Sequence, residues 1–193
     1  MSISLTTYNF CPQCGKPLRQ TEFSGQLRPH CPECSYVHWG DFSLGVGGVV
    51  WHEDKVLLVQ RAYNPGKGVW TIPGGYVDQK EKIADAVSRE IREETGIIAE
   101  PVSVLSLRDR PGEKHDMYIV FFLNYKGGLL KADPSEVSDL GFFTLDECRN
   151  LPIAQLSLSV IEASRSKASN GFIPKIGIKM IGEHSVLYQI PED

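Results

Sequence analysis

Residues 75–97 read GYVDQKEKIADAVSREIREETGI, and this stretch decides how the rest of the chain is interpreted. Apolar residues recur on one side when the stretch is wound at about 100° per residue, which predicts an amphipathic helix from about residue 82 to residue 95. The residues on that side are Ile83, Val87 and Ile91. Gly96 follows at the position where a helix commonly ends in a left-handed residue.

Three glutamates lie close to the apolar side of this predicted helix. Measured around the axis from Glu90, Glu94 is at about +40° and Glu93 at about −60°, so two carboxylates share the buried side and the third lies beside them. Burying like charges costs several kcal/mol unless a cation neutralises them. Carboxylate oxygens at this spacing suit a hard ion such as Mg²⁺ or Mn²⁺. The competing interpretation is a solvated acidic helix end, with ion pairs from Arg89 and Arg92.

The loop before the helix, residues 73–75 (Pro-Gly-Gly), favours the metal site. Glycines remove side-chain bulk where the chain must approach the helix, and a backbone carbonyl there can face a metal. Loop and helix together match G-x5-E-x7-R-E-U-x-E-E-x-G-U, with U apolar, at every defined position. The matching residues are Gly75, Glu81, Arg89, Glu90, Ile91, Glu93, Glu94, Gly96 and Ile97. This is the Nudix box, and the chain resembles a Nudix hydrolase over about residues 40–150.

The resemblance implies an α+β fold, a Nudix α/β/α sandwich with a mixed sheet. The pattern outside the box agrees with it, because short runs typical of strands alternate with turn residues. Strands are predicted at 44–51, 55–61, 69–72, 102–107, 117–125 and 137–143, and a second helix at about 153–166. The chain departs from the common family pattern at Gln79-Lys80, where proline and glycine are usual, and Lys82 is a poor helix cap.

The resemblance also implies metal-dependent hydrolysis of a nucleoside diphosphate linked to another moiety. By position, it makes Glu90 and Glu94 the leading ligands of Mg²⁺ or Mn²⁺. Glu93 is a third ligand and the Gly74 carbonyl a fourth. Arg89 is expected to orient the glutamates.

The general base varies in position across the family. Glu93 is our first choice, and Glu136 in the loop before the last predicted strand is the second, with a solvated loop charge as its alternative.

Arg61 ends a predicted strand near the expected cleft and is a candidate phosphate contact; a surface ion pair is its alternative. The aromatic residues that are candidates for stacking on a base are Trp70, Tyr76 and Tyr118. Packing in the core or at its rim is the alternative for each aromatic residue.

The N-terminal segment carries two C-x2-C turns separated by sixteen residues, a spacing typical of zinc sites. Their cysteines are Cys11, Cys14, Cys31 and Cys34. Each turn aims two thiolates at one point, and two turns complete a tetrahedral shell of four sulfurs. Two disulfides or four unrelated thiols are the alternatives, and a cytosolic chain disfavours disulfides. Because no position is left open for water, the Zn²⁺ is predicted to be structural.

Composition and length bound these interpretations. The 193 residues are 41% hydrophobic and 23% charged with a net charge of −4, which excludes a histone-like binder, a membrane protein and a disulfide-rich toxin.

The predicted domains are a zinc ribbon at 1–40 and a Nudix domain at 41–193, with its core at about 41–150 and a C-terminal helix and tail at 151–193. No signal peptide is visible, so we expect a cytoplasmic protein with neither membrane nor nucleic-acid partners. A homodimer is left open.

Two classes of function are compatible with these residues. The first is a diphosphatase; the second is a non-catalytic nucleotide sensor whose ribbon binds nucleic acid, and the intact box favours the enzyme. The NADH diphosphatases of this family carry SQPWPFPxS shortly after the box, whereas residues 99–114 here read AEPVSVLSLRDRPGEK. The predicted substrates are therefore ADP-ribose or FAD ahead of NADH, with release of AMP. A nucleoside triphosphate hydrolase or an RNA-cap hydrolase of the same fold is the remaining alternative.

Overall fold

The computed structural model describes residues 8–112, 114–167, 172–175 and 187–189. The chain divides into two compact units. The ribbon unit contains the chain up to Ser43 together with Arg110–Asp116, and the sheet unit contains Leu44–Asp109 and the chain from Met117 onward. The domain boundary between residues 40 and 41 stays a prediction.

The strands of the described residues are β1 (Arg19–Phe23), β2 (Gln26–His30), β3 (Asp41–His52), β4 (Lys55–Arg61), β5 (Trp70–Thr71), β6 (Gly74–Tyr76), β7 (Ile97–Arg110), β8 (Lys114–Gly128), β9 (Val137–Phe143), β10 (Ile173–Lys175) and β11 (Leu187–Gln189). The helices are α1 (Ile83–Thr95), α2 (Leu145–Asn150) and α3 (Gln155–Lys167). None of the helices in this part of the chain is both long and apolar enough to cross a membrane.

The ribbon unit is built around the antiparallel pair β1–β2. The residues that flank the two cysteine turns pair with each other as isolated bridges, Phe10 with Pro17 and His30 with Val37. The two turns therefore have the same local architecture, each closed at its base by one bridge.

The sheet unit contains a sheet in the order β5-β4-β3-β8-β7, with β6 also paired to β3 and β9 to β4. Side chains alternate between the two faces of a strand. Val46 of β3 packs in one cluster with Val87 and Ile91 of α1, and Val49 packs in a second cluster with Ile161 of α3. The sheet thus lies between helices on both faces, which confirms the α/β/α prediction.

The glycine loop continues directly into β6, whereas the sequence pattern predicted that the strand structure ends before Pro73. β6 pairs antiparallel with β3, so that Gly74 lies opposite Gly47 and Gly75 opposite Val46. The Gly48 N–H also donates to the Pro73 carbonyl at 3.0 Å. These backbone bonds fix the loop against the central strand and place it beside α1.

Helix α1 matches its prediction closely. It begins one residue after Lys82, which makes no side-chain capping bond, and Gly96 ends it in the left-handed conformation with φ 71°.

Helix α2 was not predicted from the sequence. Its signal was local, since Thr144 and Glu147 form a capping box in which each side chain accepts from the other's backbone N–H.

Candidate functional site

Helix α1 presents its three glutamates with different burial. Glu94 is 8% exposed, the Glu90 side chain is 13% exposed, and the Glu93 side chain is 53% exposed. The order follows the angular positions on the helix, because Glu94 and Glu90 lie on the side that packs against the sheet. Two of the carboxylates, those of Glu94 and Glu90, are therefore largely buried, and that of Glu93 faces solvent at the mouth of the site.

Arg89 connects these carboxylates to the preceding loop. Its Nε and Nη2 donate to the two carboxylate oxygens of Glu81, each at 2.9 Å. Its Nη1 donates to Glu90 at 2.8 Å and to Glu93 at 3.0 Å, and Nη2 also donates to the Tyr76 carbonyl at 3.2 Å. The paired guanidinium lowers the pKa of Glu81. One arginine therefore contacts three of the four box glutamates, which is the arrangement expected of an orienting residue.

Glu94 is held by the glycine loop. Its Oε2 accepts the Gly74 N–H at 2.8 Å. Burial raises the pKa of Glu94 to about 8 against the lowering effect of this bond. The negative charges of Glu90 and Glu136 raise this pKa further, and the positive charge of Arg61 lowers it. All three side chains are therefore within electrostatic reach of Glu94.

The loop can approach the helix only because it is glycine. A Cβ atom at Gly75 would lie 2.4–2.6 Å from the carboxylate atoms of Glu90, and one at Gly74 would lie 2.1 Å from the Val46 carbonyl oxygen. Both distances are far below van der Waals contact. The expected removal of side-chain bulk at this loop is confirmed.

The charge balance of this group fits a divalent cation. Glu81, Glu90, Glu93 and Glu94 carry four formal negative charges against one positive charge on Arg89, which leaves −3. The oxygen donors are the type that Mg²⁺ and Mn²⁺ prefer. Among the described residues, however, the glutamate oxygens do not gather within 4.8 Å of one another as the cysteine sulfurs do. Arg89 holds two of the carboxylates, those of Glu90 and Glu93, by hydrogen bonds.

Glu136 lies on a loop that is tied to both α1 and β4. The Asp133 N–H donates to the Glu94 carbonyl at 3.4 Å, and the Ala62 N–H donates to the Glu136 carbonyl at 2.9 Å. The Glu136 side chain is exposed. The loop thus brings Glu136 near the α1 carboxylates although the two are far apart in sequence.

Arg61 ends β4 and is half-buried. Its Nε donates to the Pro65 carbonyl at 3.0 Å, and its guanidinium lies 4.9 Å from the centre of the Tyr63 ring. These contacts are with its own loop and not with an acidic side chain. Its charge nevertheless acts on Glu94, which is consistent with a place at the edge of the site.

The two aromatic candidates of the box region have different surroundings. Trp70 is 6% exposed and packs edge-on against Phe143 with ring centres 4.8 Å apart, in the core cluster that also contains Cys148. Its ring is enclosed, which favours core packing of Trp70 over stacking on a base. Tyr76 is 66% exposed and lies next to the glycine loop.

Arg108 was given no role by the sequence, and no local pattern marks it. Its guanidinium lies 5.2 Å from the centre of the Tyr118 ring. Burial raises the pKa of Tyr118, Glu94 and Glu90 raise it further, and Arg108 and Arg61 lower it. The charges of Glu94, Glu90, Arg108 and Arg61 therefore all reach the Tyr118 hydroxyl.

The four cysteines of the ribbon unit converge on one point. The sulfur atoms of Cys11 and Cys34 are 3.5 Å apart, as are those of Cys14 and Cys31, and all four lie within 4.8 Å of one another. These distances are too long for disulfide bonds and bracket the ~3.8 Å edge of a tetrahedron with zinc–sulfur bonds of about 2.3 Å. The cluster fits a Zn²⁺ ion.

The family model of the NUDIX domain matches residues 41–163, which is more than half of the chain. The chain belongs to the Nudix family. The match begins at the start of β3 and contains the box helix, the glycine loop and Glu136. It agrees with the resemblance carried by the box alone.

Two curated relatives of the chain have names that state different activities. One is the NAD-capped RNA hydrolase NudC of Stutzerimonas stutzeri, 29% identical over 151 residues, which cover 78% of this chain and 53% of the relative. The other is the ADP-ribose pyrophosphatase of Methanocaldococcus jannaschii, 41% identical over 113 residues, which cover 57% of this chain and 64% of the relative. The chain spans about half the length of the first relative and less than two thirds of the second.

Solved structures support the same fold. A Nudix hydrolase from Nitrosomonas europaea matches with a TM-score of 0.74 at 23% identity, covering 85% of this chain and 95% of that one. A MutT Nudix hydrolase from Burkholderia pseudomallei matches with a TM-score of 0.57 at 29% identity, covering 64% of this chain and 98% of that one. The first likeness extends over most of the chain but concerns the fold alone.

Proposed function

We propose that the chain is a metal-dependent diphosphatase that hydrolyses a nucleoside diphosphate linked to another moiety. The observation that carries the proposal is the group of box glutamates with Arg89, which has a formal charge of −3 and packs against a glycine loop too closely for any side chain to intervene. A diphosphate substrate is itself anionic, so it binds such a group only when cations are present.

Glu90 and Glu94 would hold Mg²⁺ or Mn²⁺, with Glu93 and the Gly74 carbonyl as further ligands. The bound ion would neutralise the diphosphate and polarise the phosphorus that water attacks. Arg89 fixes the directions of Glu90 and Glu93 by its hydrogen bonds to both.

Glu93 is the proposed general base, because it is the most exposed of the α1 glutamates and can meet a water molecule at the mouth of the site. Glu136 is the second choice. Its exposed side chain lies on a loop bonded to the carbonyl of Glu94. Arg61 and Tyr76 are the proposed substrate contacts at the rim.

The proposed substrates are ADP-ribose or FAD ahead of NADH, with AMP as one product. Two observations support the order: the SQPWPFPxS segment of the NADH diphosphatases is missing from residues 99–114, and the relative at 41% identity is named an ADP-ribose pyrophosphatase. A second candidate is hydrolysis of an NAD cap on RNA. It is favoured by the relatives named NAD-capped RNA hydrolase, whose matches cover about three quarters of this chain.

The ribbon unit would bind a structural Zn²⁺ through its four cysteines. Four sulfur ligands leave no position for water or substrate, so this ion would stabilise the unit without taking part in hydrolysis. The cytoplasm remains the expected compartment, where thiols stay reduced and available to the ion.

The test is a panel of substrates with Mg²⁺ and with Mn²⁺: ADP-ribose, FAD, NADH, diadenosine polyphosphates, deoxynucleoside triphosphates and NAD-capped RNA. We expect kcat/KM to be highest for ADP-ribose or FAD, and AMP to appear as a product. A tenfold preference for NADH or for NAD-capped RNA would overturn the order, and such a preference corresponds to only about 1.4 kcal/mol of transition-state binding. Binding of nucleotides without hydrolysis of any of them would favour the sensor.

A further inference from the structure

Tyr118 on β8 occupies a gap that the glycines of β3 leave in the sheet unit. A Cβ atom at Gly45 would lie 2.7 Å from the Tyr118 Cδ2 atom, and one at Gly47 would lie 2.3 Å from its hydroxyl oxygen. The Arg108 guanidinium lies 5.2 Å from the ring centre. With the ring packed on the β3 glycines and beside Arg108, the packing alternative is favoured over stacking on a substrate base for Tyr118.

The hydroxyl group of Tyr118 reaches the glycine loop of the candidate site. A Cβ atom at Gly74 would lie 2.9 Å from the hydroxyl oxygen, so the hydroxyl is adjacent to the residue whose N–H binds Glu94. No hydrogen bond joins this hydroxyl to any other residue that the structure describes. The hydroxyl is also not among the buried side-chain atoms that lack a partner in the described part of the chain, so it reaches solvent and is open to a ligand.

The charges around the hydroxyl indicate what the partner is. Besides burial, the negative charge of Glu94 raises the pKa of Tyr118 and the positive charge of Arg108 lowers it, with smaller effects from Glu90 and Arg61. Once a cation neutralises the carboxylates, the two arginines remain as the charges that act on the hydroxyl. A phenol has an ordinary pKa of about 10 and is therefore a donor at neutral pH. Donor and arginines together favour an anionic acceptor, and a hydrogen bond from a neutral donor to an anion is stronger than one to a neutral group.

We propose that the Tyr118 hydroxyl, beside Gly74, donates a hydrogen bond to a phosphate oxygen of the substrate diphosphate. This proposal rests on the proposed function, since it requires a diphosphate in the site. It makes Tyr118 a substrate-binding residue that acts through its hydroxyl. Arg108 then contributes by packing against the ring and by adding positive charge near the hydroxyl.

The experiment compares Tyr118→Phe with Tyr125→Phe. Both tyrosines are on β8 and both changes remove one hydroxyl, but Tyr125 packs with His52 and Phe142 at the other end of the strand. For the best substrate of the panel, we expect kcat/KM of Tyr118→Phe to fall about ten- to hundredfold, as for loss of a hydrogen bond to a charged group. We expect Tyr125→Phe to stay within about twofold of the wild type.

Two further measurements separate substrate binding from a structural role. The α,β-methylene analogue of ADP-ribose, titrated calorimetrically with Mg²⁺ present, should bind Tyr118→Phe more weakly by a factor similar to the loss in kcat/KM. The Tm of the unliganded variant should equal that of the wild type, because no protein hydrogen bond is lost.

Unchanged kcat/KM and analogue binding in Tyr118→Phe would overturn the proposal. So would a fall in Tm well beyond that of Tyr125→Phe, since the hydroxyl would then serve the fold. A wild-type protein that hydrolyses nothing in the panel would instead refute the proposed function. The two failures are therefore distinguishable.

Discussion

The cysteine cluster and the box glutamates are assembled in opposite ways. The cysteines lie on two local turns, and their sulfurs gather within 4.8 Å of one another. The glutamates project from one helix that is fixed by a packed core, and Arg89 already pairs with two of the proposed ligands. The difference teaches that a small unit held together mainly by its metal ligands depends on the ion for folding. A site on a helix that packs in a core keeps its geometry without an ion.

Among the variants that test this difference between the two sites, Cys11→Ser is expected to have the largest effect on stability. Cys11 is buried, and the change removes one of four ligands from a small unit that has little other core. We expect loss of the bound zinc and several kcal/mol of destabilisation, with unfolding or aggregation of the ribbon unit. Zinc content per chain and thermal unfolding measure both effects.

Cys148→Ala is the matched control for Cys11→Ser. Cys148 is buried in the sheet unit, so its replacement should lower the Tm modestly and leave the zinc content unchanged. A purified wild type without tightly bound zinc would refute the structural role of the cysteines.

The second-largest effect is expected for Glu94→Gln, and it concerns turnover. The amide oxygen can still accept the Gly74 N–H. Because burial raises the pKa of Glu94 from the ordinary 4.5 to about 8, the wild type loses stability as the pH rises between these two values, so the Tm of the variant in EDTA should equal that of the wild type at about pH 4 and exceed it at about pH 9. Turnover should fall at least ~100-fold, the scale for loss of a metal-bound charge. Steady-state kinetics and unfolding in EDTA check the two parts.

Asp85→Asn serves as the control for this variant. Asp85 is an exposed carboxylate in the first turn of α1, where neutralisation costs only a few tenths of a kcal/mol. Its activity should match that of the wild type. Full activity in Glu94→Gln would remove Glu94 from the mechanism.

The glycine loop provides a smaller effect. In Gly75→Ala, the new methyl group would lie within 2.6 Å of the Glu90 carboxylate and would displace it. We expect kcat/KM to fall about tenfold or more while the ribbon unit keeps its zinc, because displaced catalytic groups cost rate without large cost in stability. Gly112→Ala is the control, since its Cβ would meet only ordinary contact at 3.5 Å. Equal activities of the two variants would contradict the prediction.

The smallest effect compares the two cysteine turns with each other. Gly15 follows the first turn with φ 70°, and Ser35 occupies the equivalent left-handed position after the second turn with φ 61°. A non-glycine residue there costs roughly 1–2 kcal/mol, and glycine loses about 0.5–1 kcal/mol of chain entropy on folding. Ser35→Gly should therefore raise the stability of the ribbon unit by about 0.5 kcal/mol, and Gly15→Ser should lower it. Chelator titration and Tm measurements with both variants test the sign.

Local patterns predicted those parts of the protein whose causes are local. The limits of α1 followed from its apolar spacing and from Gly96, and the convergence of the cysteines followed from two C-x2-C turns. The angular positions on the helix also predicted which carboxylates are buried. Within α1 and within each cysteine turn, the residues that determine the local structure lie within about one turn of one another.

Features that depend on distant neighbours could not be predicted in this way. Trp70 is enclosed by Phe143, and nothing near Trp70 in the sequence indicates that contact. The bidentate pair between Glu81 and Arg89 requires the loop to fold back on the helix, which helical angles do not describe. The nearness of Tyr118 to Gly74 requires the pairing of β6 with β3 and of β3 with β8.

The unequal exposure of the four cysteines has a consequence for the kinetics of ion exchange. Cys11 and Cys31 are buried, whereas Cys14 and Cys34 are exposed. A chelator or an oxidant meets only the outer two sulfurs, so release of a bound zinc ion should begin with replacement of one of these thiolates. The lifetime of the ion in the protein is then set by the solvent-facing half of the cluster, while the inner half keeps the two turns together until the ion has left.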